Sequence, residues 1–569
     1  CMNSKDKGKS KLGLLGVAAA VILVVIVAGA VFMKRYAPSK QWMSGYEYFD
    51  ADKASDSALV IINGTKYQDT GVSVDGIWYL PADFIADNIN IRFYEDGESN
   101  AILYTDDKKT YTYEPGKNIY TDSDNNEYNT NYPVTVAVNG STYIAWDYVA
   151  QYTNCTYAYG EEPARICINS IDGEEKVVDA KKDIYVRYRG GIKSDILEKI
   201  EKGSRLYYED DLDDWIKVTT QTGYTGYVKS SEVNENYMYV PEDTYVEEYT
   251  RVMSDGAVRL GWFQGGGTSG NSTAAAMVSS SSVNVISPTW YSIASASGSA
   301  SSNAQASWVS DMHARGIKVW PLINDFDKDI DYAALFSSKS ARRTLIGTLI
   351  KDATAYGYDG INLDFENVKK DYAKDFLQFV RELAVECHKN NIILSTDNYK
   401  PENYNKFYNL KEQSSYVDYV IVMAYDEHYA GSEAGSVASL PFVREAVSDT
   451  VALVPSNQVI VGIPFYTRIW SVSGSTTTSR AVGMQDDINE LNADGQTAPW
   501  NEEAGQYVSS YEKNGVTKKT WFEEDKSVEE KLKVISEYDV AGIAAWKQGT
   551  LEDAVKEQII ESVTAELKA

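Results

Sequence analysis

The sequence predicts a chain of α/β class: a (β/α)8 TIM barrel preceded by a small all-β barrel, a β-rich repeat stalk and one transmembrane helix. Three observations carry this expectation. Residues 255–569 hold eight β-rich runs alternating with helical stretches, residues 59–235 hold short β runs broken by turn residues, and residues 12–33 contain no charge. Eight alternating units over that length fit a barrel, whose usual size is about 250 residues and upward.

The uncharged run LGLLGVAAAVILVVIVAGAVFM is 22 residues long, enough at about 1.5 Å per residue to cross a hydrocarbon core of about 30 Å. Residues 1–11 then read as a cytoplasmic tail, 12–33 as the span and 34–58 as a linker. Four lysines precede the run, and Lys34, Arg35 and Lys40 follow it, so flanking charge by itself decides little about orientation. A cleaved signal peptide is the competing reading, because Ala28-Gly29-Ala30 has the small-x-small form.

Shifting the chain by 64 positions aligns residues 74–105 with 138–169 without a gap. Each copy opens on a DG or NG turn between strand-like runs, continues through a short helical stretch at Asp83 or Asp147, and ends in two β-rich runs. The pattern resembles the amine-oxidase-N-terminal-like repeats of extracellular Firmicute proteins, which implies a spacer or wall-facing module over residues 59–172, with a structural stalk that binds no ligand as the alternative. The same shift places Cys155 over Ile91 and Cys167 over Leu103. Two thiols replacing two apolar residues on consecutive strands suggest a disulfide in an exported protein, with two buried free thiols as the alternative.

Residues 176–235 carry β runs with Val186-Arg187, Lys202-Gly203, Trp215-x-Lys217-Val218 and Gly226-Tyr227-Val228 as landmarks. They resemble a bacterial Src-homology-3-like domain, which implies contact with peptidoglycan; a core-filling role for Trp215 and Tyr227 stays open. Residues 236–254 read as a second linker.

Composition removes some functions. The 54 Lys+Arg against 82 Asp+Glu give a net charge of -28, which opposes a nucleic-acid partner. Residues 1–40 carry seven basic side chains and one acidic one, so the remainder is more acidic than the total suggests. There are three histidines, His313, His388 and His428, none spaced as a zinc pair, so neither a metal site nor a Ser/His triad is expected. Carboxylates are the remaining chemistry, and 43 Tyr with 12 Trp supply rings suited to sugar faces.

The run YDGINLDFE concentrates that chemistry. Alternate residues of a strand face the same way, so Asn362, Asp364 and Glu366 share one face and Ile361, Leu363 and Phe365 the other. Parallel strands are usually apolar on both faces, and unpaired carboxylates inside a barrel are costly. A purely structural explanation is therefore poor, and the carboxyl ends of barrel strands are where this architecture places its chemistry.

DGINLDFE matches the DxxDxDxE signature of glycoside hydrolase family 18 at Asp359, Asn362, Asp364 and Glu366, and Met423-Ala424-Tyr425-Asp426 matches its MxYD motif. The chain is identified by resemblance as a member of that family. VISPTWYSI, VMAYDEHY and IPFYTRIW are most similar to its bacterial spore-cortex and cell-wall N-acetylglucosaminidase branch. Asn362 departs from the pattern, standing where many chitinases have Asp.

The resemblance implies a retaining, substrate-assisted glycosidase, a recognised exception to the two-carboxylate scheme. Glu366 would be the acid and then the base, Asp364 would accept the acetamido N–H, and Tyr425 would donate to the acetamido oxygen. Asn362, Asp359 and Asp426 would support them. Trp546 would floor the sugar site, with Met423, Asn324, Tyr466 and Arg468 as wall residues. No metal or organic cofactor is implied. The expected partner is peptidoglycan or a related N-acetylglucosamine glycan, for a single-pass protein of the cell membrane with its catalytic domain extracellular. A chitinase and a non-catalytic glycan-binding or wall-tethering protein remain the alternatives.

Overall fold

The computed structural model describes residues 7–264, 267–277 and 283–546. Part of the expected tail, 1–6, and the end of the expected barrel domain, 547–569, lie outside these residues. The chain forms two compact units, residues 1–91 with 132–247 and residues 92–131 with 248–569.

The first unit begins with a helix, Lys7–Tyr36, of which Gly16–Tyr36 has a mean hydropathy of 2.8 and, among the described residues, none that is buried. Length and composition suit it to crossing a membrane. The expected linker after it is not free chain. Ser39 N donates to Ile192 O at 2.7 Å, Met43 N to Ile196 O at 2.9 Å, and Ile196 N to Gln41 O at 2.8 Å. Strand Ile196–Ile200 is the edge of its sheet, and this passing segment satisfies the open N–H and C=O of its first residue, Ile196. Lys193 Nζ donates to the Lys34 and Ala37 carbonyls at the end of the helix, at 2.7 and 2.6 Å, where a cation suits the helix dipole.

Residues 175–239 form a seven-stranded antiparallel sheet around Val178, Val186, Leu206, Val218 and Val228. Gly226 is required there, because a Cβ at this position would stand 2.6 Å from the Arg187 carbonyl oxygen.

The repeat turns form as predicted. Asp75-Gly76 and Asn139-Gly140 all have positive φ, the conformation that a two-residue hairpin turn demands. Short helices, Ala82–Asn88 and Trp146–Val149, follow each hairpin strand. Beyond them the copies diverge. Cys155–Glu161 and Ala164–Ser170 of the second copy complete a seven-stranded sheet of the first unit. Phe93–Glu95 and Ile102–Thr105 of the first copy instead start a five-stranded antiparallel sheet within the barrel unit. The expected continuous stalk over 59–172 is corrected accordingly.

The expected disulfide is corrected as well. Cys155 and Cys167 are both buried free thiols. Cys155 pairs with Ser170 and Cys167 with Ala158, so the thiols are three positions apart along the ladder. That odd offset puts them on opposite faces.

In the second unit eight parallel strands close a barrel: β1 (Val258–Phe263), β2 (Val285–Ile293), β3 (Lys318–Val319 and Leu322–Asn324), β4 (Gly360–Asp364), β5 (Ile393–Tyr399), β6 (Tyr419–Met423), β7 (Val459–Pro464) and β8 (Gly542–Trp546). β1 pairs with both β2 and β8, which completes the ring. The alternation read from the sequence holds: Ile361, Leu363 and Phe365 pack in the apolar layer between strands and helices. Inside the barrel, Leu260, Trp262, Trp320, Leu322, Tyr419 and Ile421 belong to a second core, with Trp320 stacked on Tyr419 at 5.6 Å. An insertion that the sequence reading did not separate follows β7, a five-stranded antiparallel sheet with the helix Met484–Ala493.

Ion pairs fasten the 92–131 sheet to the barrel helices. Arg342, fully buried on Lys339–Tyr356, donates to both Glu382 oxygens at 3.0 Å and to Asp96 at 3.2 Å. Arg381 Nε donates to Glu412 at 2.9 Å, and Arg92 Nε reaches the same oxygen at 3.2 Å.

Candidate active site

β4 carries Asn362 and Asp364 into the barrel and ends at Asp364, leaving Glu366 on the loop at its carboxyl end. Asp325, just beyond β3, fixes that loop: its carboxylate accepts the Glu366 N–H at 3.0 Å and the Asn367 N–H at 2.8 Å. Tyr408 adds a hydrogen bond to the Phe365 carbonyl at 3.0 Å. The backbone bearing Glu366 is thus held from two directions.

Asn362 is fully buried and fully bonded. Its Oδ1 accepts from Trp262 Nε1 at 2.9 Å and Ser287 Oγ at 3.1 Å; its Nδ2 donates to Ser395 Oγ at 3.0 Å and Asp397 Oδ1 at 2.8 Å. An indole N–H can only donate, which fixes the direction of the amide.

Asp364 is buried, hydrogen-bonded to Glu366, and has one oxygen, Oδ1, without a partner among the described residues. Burial pushes its carboxyl well above the usual range, and the facing charges of Asp397, Glu366 and Asp325 push it further. Glu366 is also raised, first by burial; the Tyr399 hydroxyl, donating to its Oε2, opposes this, while Asp325 and Asp426 reinforce it. Asp397 is raised by burial and Glu366 against the hydrogen bonds of Asn362 and Trp262. Among the described residues none of these three acids has a cationic partner.

Tyr425 stands after β6, half-buried, its ring 6.4 Å from both Trp262 and Tyr466. Burial first, then Asp364 and Asp397, keep its phenol protonated well above the ordinary value. Asp426 could serve the site only if β6 ended before it. It does, at Met423, and Asp426 takes a left-handed conformation with φ 59° that lets it accept from the Tyr466 hydroxyl at 2.5 Å. Trp546 closes β8 with its ring 6.3 Å from Trp262. Met423 lies beside Tyr399 in the β5–β6 pairing. Tyr466 and Arg468 sit on the first strand of the insertion, where Arg468 donates to Ser479 at 3.0 Å. Asn324 accepts from Phe326 N at 3.3 Å and so shapes the loop after β3.

Asp359 is not brought to this site. It precedes β4 at the amino end of the barrel, accepting from Val319 N at 2.9 Å and meeting His313 Nε2 at 2.8 Å. Its service is to the base of the strand. Conversely, Asp325, Asp397, Tyr399 and Trp262 were missed. Ser395, Asp397 and Tyr399 share one face of β5 by the same alternation that singled out β4, so their signal was present in STDNY.

The profile of the family described as Glycosyl hydrolases family 18 matches residues 269–550, which takes in β2 to β8. The uncharacterized glycosylase YvbX of Bacillus subtilis (strain 168) is 31% identical over 250 residues, 41% of this chain and 71% of that protein. A cortical fragment-lytic enzyme of the same organism is 23% identical over 224 residues, 38% of this chain; the match spans 52% of the relative. In fold, the chain resembles the crystal structure of the C-terminal domain of a protein provisionally classed as a chitinase, from Desulfitobacterium hafniense DCB-2. The TM-score is 0.50 at 23% identity, covering 55% of this chain and all of that one. The chain therefore belongs to glycosyl hydrolases family 18, a family of glycosidases.

Proposed function

We propose that this glycosidase cleaves N-acetylglucosamine linkages of peptidoglycan by a retaining mechanism in which the substrate's own acetamido group is the nucleophile. The observation that carries the reading is that Oδ1 of buried Asp364, at the end of β4 and next to the loop residue Glu366, has no partner among the described residues. A buried carboxyl oxygen without a donor among the described residues favours a ligand that brings an N–H, and an acetamido group does so.

In this reading Asp364 and Glu366, both raised by burial and hydrogen-bonded to each other, share one proton. When the acetamido N–H donates to Asp364, that carboxylate is stabilised as the anion and the proton passes to Glu366. Glu366 then protonates the leaving glycosidic oxygen while the acetamido oxygen, steadied by the Tyr425 hydroxyl, closes on the anomeric carbon. Water opens the resulting oxazolinium ion, returning its proton to Glu366 and retaining the configuration. Trp546, backed by the buried Trp262, supplies the apolar floor beneath the sugar.

Peptidoglycan is favoured over chitin by the cortex-lytic name of one relative and by the apolar helix, which fits single-pass anchoring with the barrel outside the cell. A Src-homology-3-like module in the first unit, aiding wall contact, fits the same reading. The test incubates the soluble ectodomain, wild type and Glu366→Gln, with purified peptidoglycan and with chitin oligomers. Peptidoglycan cleavage by the wild type alone is expected. Equal product release by both proteins would remove Glu366 from its role, and retained binding with no cleavage of either glycan would favour a lectin. An active enzyme indifferent to a thiazoline mimic of the oxazolinium ion would point to a protein nucleophile.

A further inference from the structure

Asp397 lies within the barrel on β5, 4% exposed. Its nearest polar support is neutral: the Asn362 amide at 2.8 Å, itself clamped by Trp262, Ser287 and Ser395. The charged and titratable groups facing it are Asp364 and Glu366 from β4 and Tyr425 from beyond β6. Asp325 adds a fourth acid around Asp364. Among the described residues no Lys, Arg or His pairs with Asp397. A buried carboxylate without a cation is a standing cost to the fold, and the barrel interior could hold an apolar side chain there at less expense. Asn362 is spent on orienting it.

We propose that Asp397 is a further positioning residue of the reaction, a buried negative charge that Asn362 holds beside Asp364 so that the Asp364–Glu366 pair retains its proton until substrate arrives. Asp397 touches neither the glycan nor the reacting atoms; it acts through Asp364. The Asn362 N–H at 2.8 Å favours the anion of Asp397, whereas Asp364 Oδ1 has no donor among the described residues; ionising Asp364 would put a second charge against Asp397. Without the charge, the Asp364–Glu366 pair gives up its shared proton at lower pH, and Glu366 has none to deliver. The inference rests on the assignment of Glu366 and Asp364 proposed above and concerns what sets their working pH.

The experiment measures kcat/KM against pH on a soluble glycan for the wild-type ectodomain, Asp397→Asn, and the double variant Asn362→Asp/Asp397→Asn, which moves the carboxylate from β5 to β4. Thermal denaturation is followed in parallel. For Asp397→Asn the basic limb is expected to move about one pH unit toward acid, kcat/KM at neutral pH to fall about tenfold or more, and KM to change little. The melting temperature should not fall. In the double variant the limb should return toward the wild-type position. An Asp397→Asn enzyme with its basic limb in place, or one losing activity and melting temperature together at an unmoved limb, overturns the proposal. Should Asp397→Asn not fold, the double variant decides: a wild-type limb supports the role of the charge, and a limb displaced toward acid refutes it. The assignment of Glu366 is judged separately, since wild-type cleavage abolished in Glu366→Gln upholds it whatever Asp397→Asn does.

Discussion

Glu412 and Asp364 are both largely buried carboxylates of the barrel unit, yet the structure treats them in opposite ways. Burial alone would raise both. Around Glu412 the guanidiniums of Arg381 and Arg92 outweigh it and hold the carboxyl below its usual range, while Arg342 satisfies Glu382 and Asp96 nearby in the same manner. Around Asp364 the carboxyls of Asp397, Glu366 and Asp325 stand with no cationic partner among the described residues, and the carboxyl is driven up. Cation-paired acids fasten the 92–131 sheet to the helices; acids left without cations are those to which the proposed mechanism assigns the protons of glycosidic cleavage. Burial is common to both, and the neighbour's sign separates structure from chemistry.

The sharpest division between the two groups is Glu366→Gln, expected to lower turnover roughly 10²–10⁴-fold while the melting temperature and glycan binding stay near wild type. Kinetics on digested wall glycan together with calorimetry would check both halves. Arg342→Met should do the reverse. Removing the cation strands Glu382 and Asp96, which is expected to cost about 3–5 kcal/mol in chemical denaturation with no movement of the pH–rate profile of the molecules that remain folded.

Glu412→Gln should be milder, about 1–3 kcal/mol at neutral pH, and should depend on pH. Because the folded carboxyl titrates below its unfolded value of 4.5, its contribution is present above that value and is lost as pH falls through the folded one. Denaturation curves of wild type and variant should therefore converge in acid. A constant difference at every pH would detach Glu412 from the paired class.

The smallest effect is expected at Asp487 in the insertion, where burial raises the carboxyl to about 7 from an ordinary 3.8 and Oδ2 has no partner. Its sign is opposite to that of Glu412. The stability it permits is complete below pH 3.8 and is lost as pH rises through about 7. Asp487→Asn should gain roughly 1 kcal/mol near neutrality and nothing in acid, which thermal melts at the two pH values would show.

The alternation in YDGINLDFE was enough to send Asn362 and Asp364 inward and Ile361 and Leu363 outward, and the structure follows it. The same rule applied to β5 would have reached Asp397 and Tyr399, but STDNY gave no apolar partner face strong enough to draw attention. Asp359 shows the limit of motif matching: it belongs to the sequence signature yet sits at the far end of its strand from Glu366. The two repeat copies read alike, with the same turn, helix and strand pair, and only one closes within its own unit.

The sequence by itself determined the barrel class, the family, the interior acid face of β4 and a helix long enough to cross a membrane, because each rests on local periodicity, composition or a contiguous motif. Only the tertiary structure decided that Asp325 and Asp397 join Glu366, that Trp262 orients Asn362, and that Cys155 and Cys167 face apart. These depend on which strands become neighbours when the barrel and sheets close. Such contacts span tens to hundreds of residues, and no local period encodes them.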